Sequence, residues 1–179
     1  MTEYPHIDTI WKRSDDRKRI VVGDYSRPSF EYLAGNVWTG TEKVDGTNIR
    51  VMFNPEAEDP RQVLTFGGRT DQTQVSANLW KRLGELFWPL EDQMRQQFGG
   101  PVCLYGEGHG TGINKNGKLY NAEHVDFVLF DVMIGGWWLQ RPSLEDIAAK
   151  LEIALVPITF TGTLPDACEA VKEGIMSKW

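Results

Sequence analysis

The stretch Thr41-Glu42-Lys43-Val44-Asp45-Gly46-Thr47-Asn48-Ile49-Arg50 decides how the chain is read. A lysine stands two residues before an Asp-Gly step. Strand-like runs flank it, Val37-Trp38-Thr39 before and Ile49-Arg50-Val51-Met52-Phe53 after. Asp-Gly between two such runs predicts a hairpin, because glycine accepts positive φ without steric cost and aspartate nearly does. Lys43 then ends a strand and faces whatever the hairpin lines. A lysine in such a place can serve as a covalent nucleophile when its surroundings disfavour the ammonium. The same ten residues also read as a solvated hairpin with a charged rim.

Around this stretch the composition is that of one folded domain. The 179 residues are enough to bury a sizeable core. Hydrophobic residues make up 41% and charged residues 25%, ordinary globular usage. Seven tryptophans predict large core plates or stacking surfaces. A net charge of −6 argues against a broad nonspecific nucleic-acid surface and leaves room for a local basic track. No apolar run approaches the ~18 residues of a membrane span. The N-terminal stretch, with Asp8 and Trp11 among polar residues, has no signal-peptide core. Cys103 and Cys168 are too few and too far apart for a disulfide framework or zinc spacing, so a reducing cytoplasm is the expected setting.

Along the chain, residues 1–19 read as a polar loop whose basic cluster, Lys12, Arg13, Arg17, Lys18 and Arg19, is either solvated or an RNA-phosphate contact. Ile20-Val21-Val22 predicts a short strand, and Pro28–Leu33 one or two helical turns stopped by Gly35. Residues 62–69 alternate like a strand and end in Gly67-Gly68-Arg69, where glycines admit close backbone approach to a ligand. Arg69 there is a candidate phosphate clamp, since its planar fork suits paired oxygens; a surface arginine beside a turn is the plainer alternative. Leu79, Trp80, Leu83, Leu86, Phe87, Leu90 and Met94 recur at helical spacing as one apolar face behind a Ser76 cap, and Pro89 should split that helix.

Val102–Gly108 predicts a strand running into glycines, with Glu107 its only charge. Gly112–Lys118 nearly spells a phosphate loop. The following residue is Leu119 rather than Ser or Thr, and a Gly/Asn hairpin loop is the better reading. Asp126–Ile134 is the most apolar run and predicts a central strand, in which Asp131 needs a partner if buried. Phe130 beside it fits a purine slot, or simply core. Trp137-Trp138 continues as a paired strand. Ser143 caps a helix over Leu144–Leu151, Leu155–Ile158 forms a further strand, and Thr163 caps a last helix with Pro165 and Asp166 in its first turn. Gly174 stops that helix.

Lys43-Val44-Asp45-Gly46 resembles the nucleotidyl-lysine motif of the covalent nucleotidyltransferases, and the longer string Glu42–Arg50 resembles the ATP-dependent RNA ligase family most closely. Tyr105-Gly106-Glu107 and Phe130-Asp131 resemble two later motifs in the same order, with Arg69 between. The resemblance implies an α+β nucleotidyltransferase fold, an ATP-grasp-like ligase adenylation domain of antiparallel sheets with flanking helices. It implies Lys43 as the residue that carries AMP. Glu42, Asp45, Gly46, Asn48, Arg50, Arg69, Glu107, Phe130 and Asp131 would line the nucleotide site. ATP and Mg2+ are the implied cofactors, with Asp45 and Glu107 toward the metal, and nicked or broken RNA ends the implied partner. A DNA ligase, a capping guanylyltransferase or a non-catalytic nucleotide- or RNA-binding fragment are the alternatives. Two further parts of the superfamily pattern, a Glu-Gly-apolar strand and a Lys-x-Lys strand, have no match in residues 1–179. Glu173-Gly174-Ile175 reads instead as a helix end, so the expectation is a ligase domain incomplete at its C-terminal side.

Overall fold

The computed structural model describes residues 3–178; Met1, Thr2 and Trp179 lie outside it. The first elements are β1 (Trp11–Arg13), β2 (Ile20–Tyr25), α1 (Pro28–Tyr32), β3 (Trp38–Thr41), β4 (Thr47–Phe53), β5 (Leu64–Gly68), α2 (Ala77–Phe87) and α3 (Glu91–Gln97). Then come β6 (Val102–Gly110), α4 (Gly117–Tyr120), β7 (Val125–Ile134), β8 (Trp137–Trp138), α5 (Arg141–Leu151), β9 (Ala154–Leu155), β10 (Ile158–Gly162) and α6 (Leu164–Glu173). This is the expected α+β mixture. The chain divides into two compact units.

One unit holds Lys43–Val156 with Glu3 and Tyr4. Its sheet runs β5-β4-β6-β7-β8, antiparallel throughout, with β9 added parallel to β7. One face is apolar. Ile49, Val51 and Phe53 of β4, Leu104 of β6, and Phe127, Leu129 and Val132 of β7 are buried in one core with Leu79, Leu83 and Phe87 of α2 and Leu144, Ile147 and Leu151 of α5. The helical stripe expected behind Ser76 is this packing face: the Ser76 hydroxyl accepts from the Leu79 N–H, and Pro89 sits in a tight turn separating α2 from α3. The period of two along the strands leaves every other residue for the opposite face.

The second unit, residues 5–42 and 157–178, pairs β1 with β2 and β3 with β10. Thr163 and Asp166 close a reciprocal capping box on α6, and Gly174 ends it at φ +93°, both as the residue types predict.

Several expectations are corrected. Trp38-Thr39 and Ile49–Phe53 do fall in strands, with Val37 just outside, but they form no hairpin. β3 pairs with β10, whereas β4 pairs with β5 and β6, so Glu42–Gly46 is a link between two sheets. Residues 1–19 are not all loop: Trp11–Arg13 pairs with β2, and Lys12 is bonded to Asp24 at 2.6 Å. Ser143 is not a cap, because α5 begins at Arg141 behind Gln140 with Pro142 in its first turn. Leu155–Ile158 is two strands in different sheets. The Gly112–Lys118 run, expected as a hairpin loop, follows the buried strand β6 and ends within the one-turn helix α4, which starts at Gly117. Of the two readings open for the tryptophans, the described ones fit stacking surfaces: Trp80, Trp88, Trp137 and Trp138 are exposed and Trp11 and Trp38 half-buried, with Trp80 against Phe66 and Trp138 against Tyr105.

Candidate active site

The sheet face away from the helices carries the candidate residues. Asn48 lies opposite Glu107, Arg50 opposite Tyr105, and Tyr105 opposite Asp131. Between Tyr105 and Gly106 the register with β7 shifts, since Asp131 and Leu129 are their respective partners. Phe130 is the extra residue of this bulge. A bulge puts two successive residues on one side, so Phe130 and Asp131 share the open face while Leu129 and Val132 stay in the core.

Lys43 and Asp45 meet Glu107 at one end of this face. Glu107 is half-buried, and its carboxyl is pushed up to about 7, first by loss of water. The Lys43 charge and the Gly46 N–H hold it lower, and the Asp45 charge pushes it higher. The approach is close because residue 46 has no side chain: a Cβ there would lie 2.2 Å from the Gly108 carbonyl oxygen and 2.8 Å from Glu107 Cγ. Val44, 3% exposed, fixes the same segment by burying itself against Val128 and Val156. Asn48 Oδ1 is buried and accepts no hydrogen bond from the protein. An orphan acceptor at the same end as Lys43 and Glu107 suits a ligand donor.

Arg50 is 1% exposed. Its Nε donates to the Gly68 carbonyl at 2.7 Å and its Nη2 bonds the Asp71 carboxylate at 2.6 Å, which holds that carboxyl below its usual range. It lines a cavity of about 430 Å³ at the β5 edge with Met52, Gly67, Asp71, Gln74 and Trp80, and that cavity includes none of Lys43, Glu107 or Phe130. Arg69 is exposed just past β5, whose last residue Gly68 pairs with Ile49, so it stands at the same sheet end as Asn48. Glu42 falls in the other unit, where its carboxylate accepts from the Ser177 hydroxyl at 2.5 Å and the Lys178 N–H at 3.0 Å.

Three groups at the site escaped the sequence reading. Tyr4 lays its ring among Tyr105, Phe130 and Trp138, with centroids at 5.2, 5.0 and 5.5 Å, and its hydroxyl donates to Asp131. Burial raises the Asp131 carboxyl and the Tyr4 hydroxyl bond lowers it. Asn114 and Asn116 both reach Asp45. No local signal marks a tyrosine near the chain start or asparagines in a Gly/Asn loop as site residues. Among the described residues no three His, Cys, Asp or Glu side chains gather as a metal cluster.

The backbone is similar to solved structures of Naegleria gruberi RNA ligase. Against the enzyme with PPi the TM-score is 0.61 at 21% identity, covering 90% of this chain and 50% of that one. Against a lysine-to-methionine mutant with AMP and Mn it is 0.61 at 20% identity, covering 90% and 46%. Against a lysine-to-alanine mutant with ATP and Mn it is 0.61 at 21%, covering 76% and 40%. The chain thus spans half or less of the length of these structures, and at such identity the likeness is one of fold. No curated protein sequence matches the chain. The family model described as RNA ligase matches residues 36–178, which contain Lys43, Glu107 and the Phe130–Asp131 bulge, and the chain belongs to the RNA ligase family.

Proposed function

We propose that the chain is an ATP-dependent adenylyl-transferring RNA ligase domain in which Lys43 is the nucleophile. The observation that carries this reading is the meeting of Lys43, Asp45 and Gly46 with the half-buried Glu107 at one end of the open sheet face. In the first step the Lys43 amine, having lost a proton, forms a bond to the α-phosphorus of ATP. The bond from that phosphorus to the bridging oxygen breaks, and pyrophosphate leaves in line. AMP then passes from Lys43 to the 5′-phosphate of an RNA strand, and a 3′-hydroxyl displaces AMP to seal the ends. Each step is phosphoryl transfer, in which the protein supplies position and charge.

In this reading Phe130 stacks on the base, Glu107 accepts from the ribose, and Arg69 meets phosphate. Asn48 presents its buried acceptor to the bound nucleotide. Two carboxylates, Asp45 and Glu107, suit a Mg2+ held mainly by water and phosphate oxygens rather than by a protein cage. When bound, that ion offsets phosphate charge.

Incubation with ATP and Mg2+ followed by tryptic mass mapping tests the reading. AMP is expected on the peptide containing Lys43. AMP on another lysine with Lys43 bare assigns the chemistry elsewhere, and a wholly unlabelled protein favours a non-catalytic nucleotide-binding role. Nick sealing compared on RNA and DNA, and labelling by ATP compared with GTP, separate this reading from the DNA ligase and capping alternatives.

A further inference from the structure

The connection from β6 to β7 closes on the Lys43 segment through three residues. Asn114 Nδ2 donates to Asp45 Oδ1 at 3.0 Å and to the Gly46 carbonyl at 2.6 Å. Asn116 Nδ2 donates to Asp45 Oδ2 at 2.9 Å. The Asp45 N–H donates to the Tyr120 hydroxyl at 3.2 Å. Both carboxylate oxygens of Asp45, its own amide and the next carbonyl are therefore held by one loop.

The loop is fixed independently of what it holds. Ile113 is buried in the core behind the sheet, and its N–H bonds the Gly110 carbonyl at 3.1 Å. Gly117 packs so tightly that a Cβ would lie 2.0 Å from the Gly110 oxygen. Asn114 takes the left-handed conformation, φ +53°, which asparagine tolerates better than most residues, and this places its amide between the two ends of its target. Lys43, by contrast, lies in a segment with no strand pairing of its own, exposed, between Glu42 and the buried Val44.

We infer that Asn114 and Asn116 are positioning residues for Lys43, acting through Asp45. The inference rests on Lys43 being the nucleophile. In-line attack requires the amine within a near-attack distance of phosphorus, and a displacement of about 1 Å costs on the order of 100-fold in rate. Two amide donors, one on each oxygen of the carboxylate, fix both its place and its plane. The aspartate of Lys-x-Asp-Gly is thereby the handle by which the loop holds the lysine. A carboxylate has roughly four acceptor directions, so these two bonds still leave room for the water of a bound cation.

The test measures the rate of AMP transfer to Lys43 from ATP and Mg2+ in the full 179-residue chain, with AMP affinity and thermal midpoint measured in parallel. Asn114→Gly, which keeps the left-handed backbone, and Asn116→Leu, which keeps side-chain volume, each remove a donor. Each is expected to slow Lys43 labelling on the order of 100-fold, with AMP affinity and midpoint close to the parent. Asn116→Gln adds a readout that packing does not move. It returns an amide donor on a longer stem, and is therefore expected to recover part of the rate lost in Asn116→Leu. Variants lacking these donors that label Lys43 at the parent rate overturn the inference. So do variants whose slowing is matched by an equal loss of AMP affinity, or a glutamine variant no faster than the leucine one. A parent chain that labels a lysine other than Lys43, or none, overturns the underlying reading and the clamp with it.

Discussion

Glu107 carries a proton into the neutral range because it is half-buried at the end of a strand. Between the ordinary glutamate value of 4.5 and about 7, the folded chain holds a proton that the unfolded chain has released. The stability this group contributes is full below about 4.5 and is lost as pH rises through about 7. Glu107→Gln should therefore gain on the parent in urea denaturation midpoint as the buffer is moved from pH 5 to pH 8. A difference between the two that does not change with pH would show that Glu107 titrates normally. Tyr4 and Phe130 form a second test at this scale. Phe130→Ala is expected to weaken AMP binding by ~1–3 kcal/mol, the scale of one base–aromatic stack. Tyr4 touches the same ring and holds the neighbouring Asp131. Tyr4→Ala should then strengthen AMP binding by ~0.5–1.5 kcal/mol, the scale of an aromatic pair. Calorimetric titration that finds weaker binding instead makes Tyr4 a wall of the site.

Single elements were readable where the signal was local. The capping box of α6 is visible in Thr163, Pro165 and Asp166, and the structure makes both of its reciprocal bonds. Thr163→Ala is expected to cost ~1 kcal/mol in thermal or urea unfolding, the usual worth of such a cap. The amphipathic stripe of α2 and its break at Pro89 were equally plain. Strand pairing was not. Asp45-Gly46 is a strong hairpin signal, yet β3 finds β10 and β4 finds β6. Alternation says which residues face a core; it does not say which distant strand completes the ladder. The bulge at Phe130 escaped for the same reason, being a property of two strands in register. The Phe-Asp pair was visible in the sequence, and its shared face was legible only in the pairing. Asn114 and Asn116 reach Asp45 from 69 and 71 positions away. A loop's composition predicts a turn and is silent on what the turn grips.

At the scale of the whole molecule, charge sets the expectation. The chain carries −6 overall and contains no Lys-x-Lys sequence. On the proposed reading, ATP brings several negative charges toward Lys43 and the exposed Arg69. A well-placed donor to developing charge is usually worth ~2.7–4 kcal/mol in the transition state. These 179 residues should accordingly bind AMP yet seal nicked RNA slowly. Gel assays of nick closure, with AMP titration as the companion measurement, check both halves. Brisk sealing would mean that other cations of the chain replace the lysine pair.

The pairing of β3 with β10 has a consequence for the order in which the protein is made. Ile158 leaves the ribosome more than a hundred positions after its partner Thr41. At ~5–20 residues per second, Thr41 waits on the order of ten seconds for that partner. In the last part of that interval, once β7 is made, the sheet of β4, β6 and β7 has the chain it needs to assemble, while β3 is still an unclaimed edge open to a neighbouring nascent chain. The strand leading to Lys43 is thus paired among the last, and slowing translation lengthens its exposure.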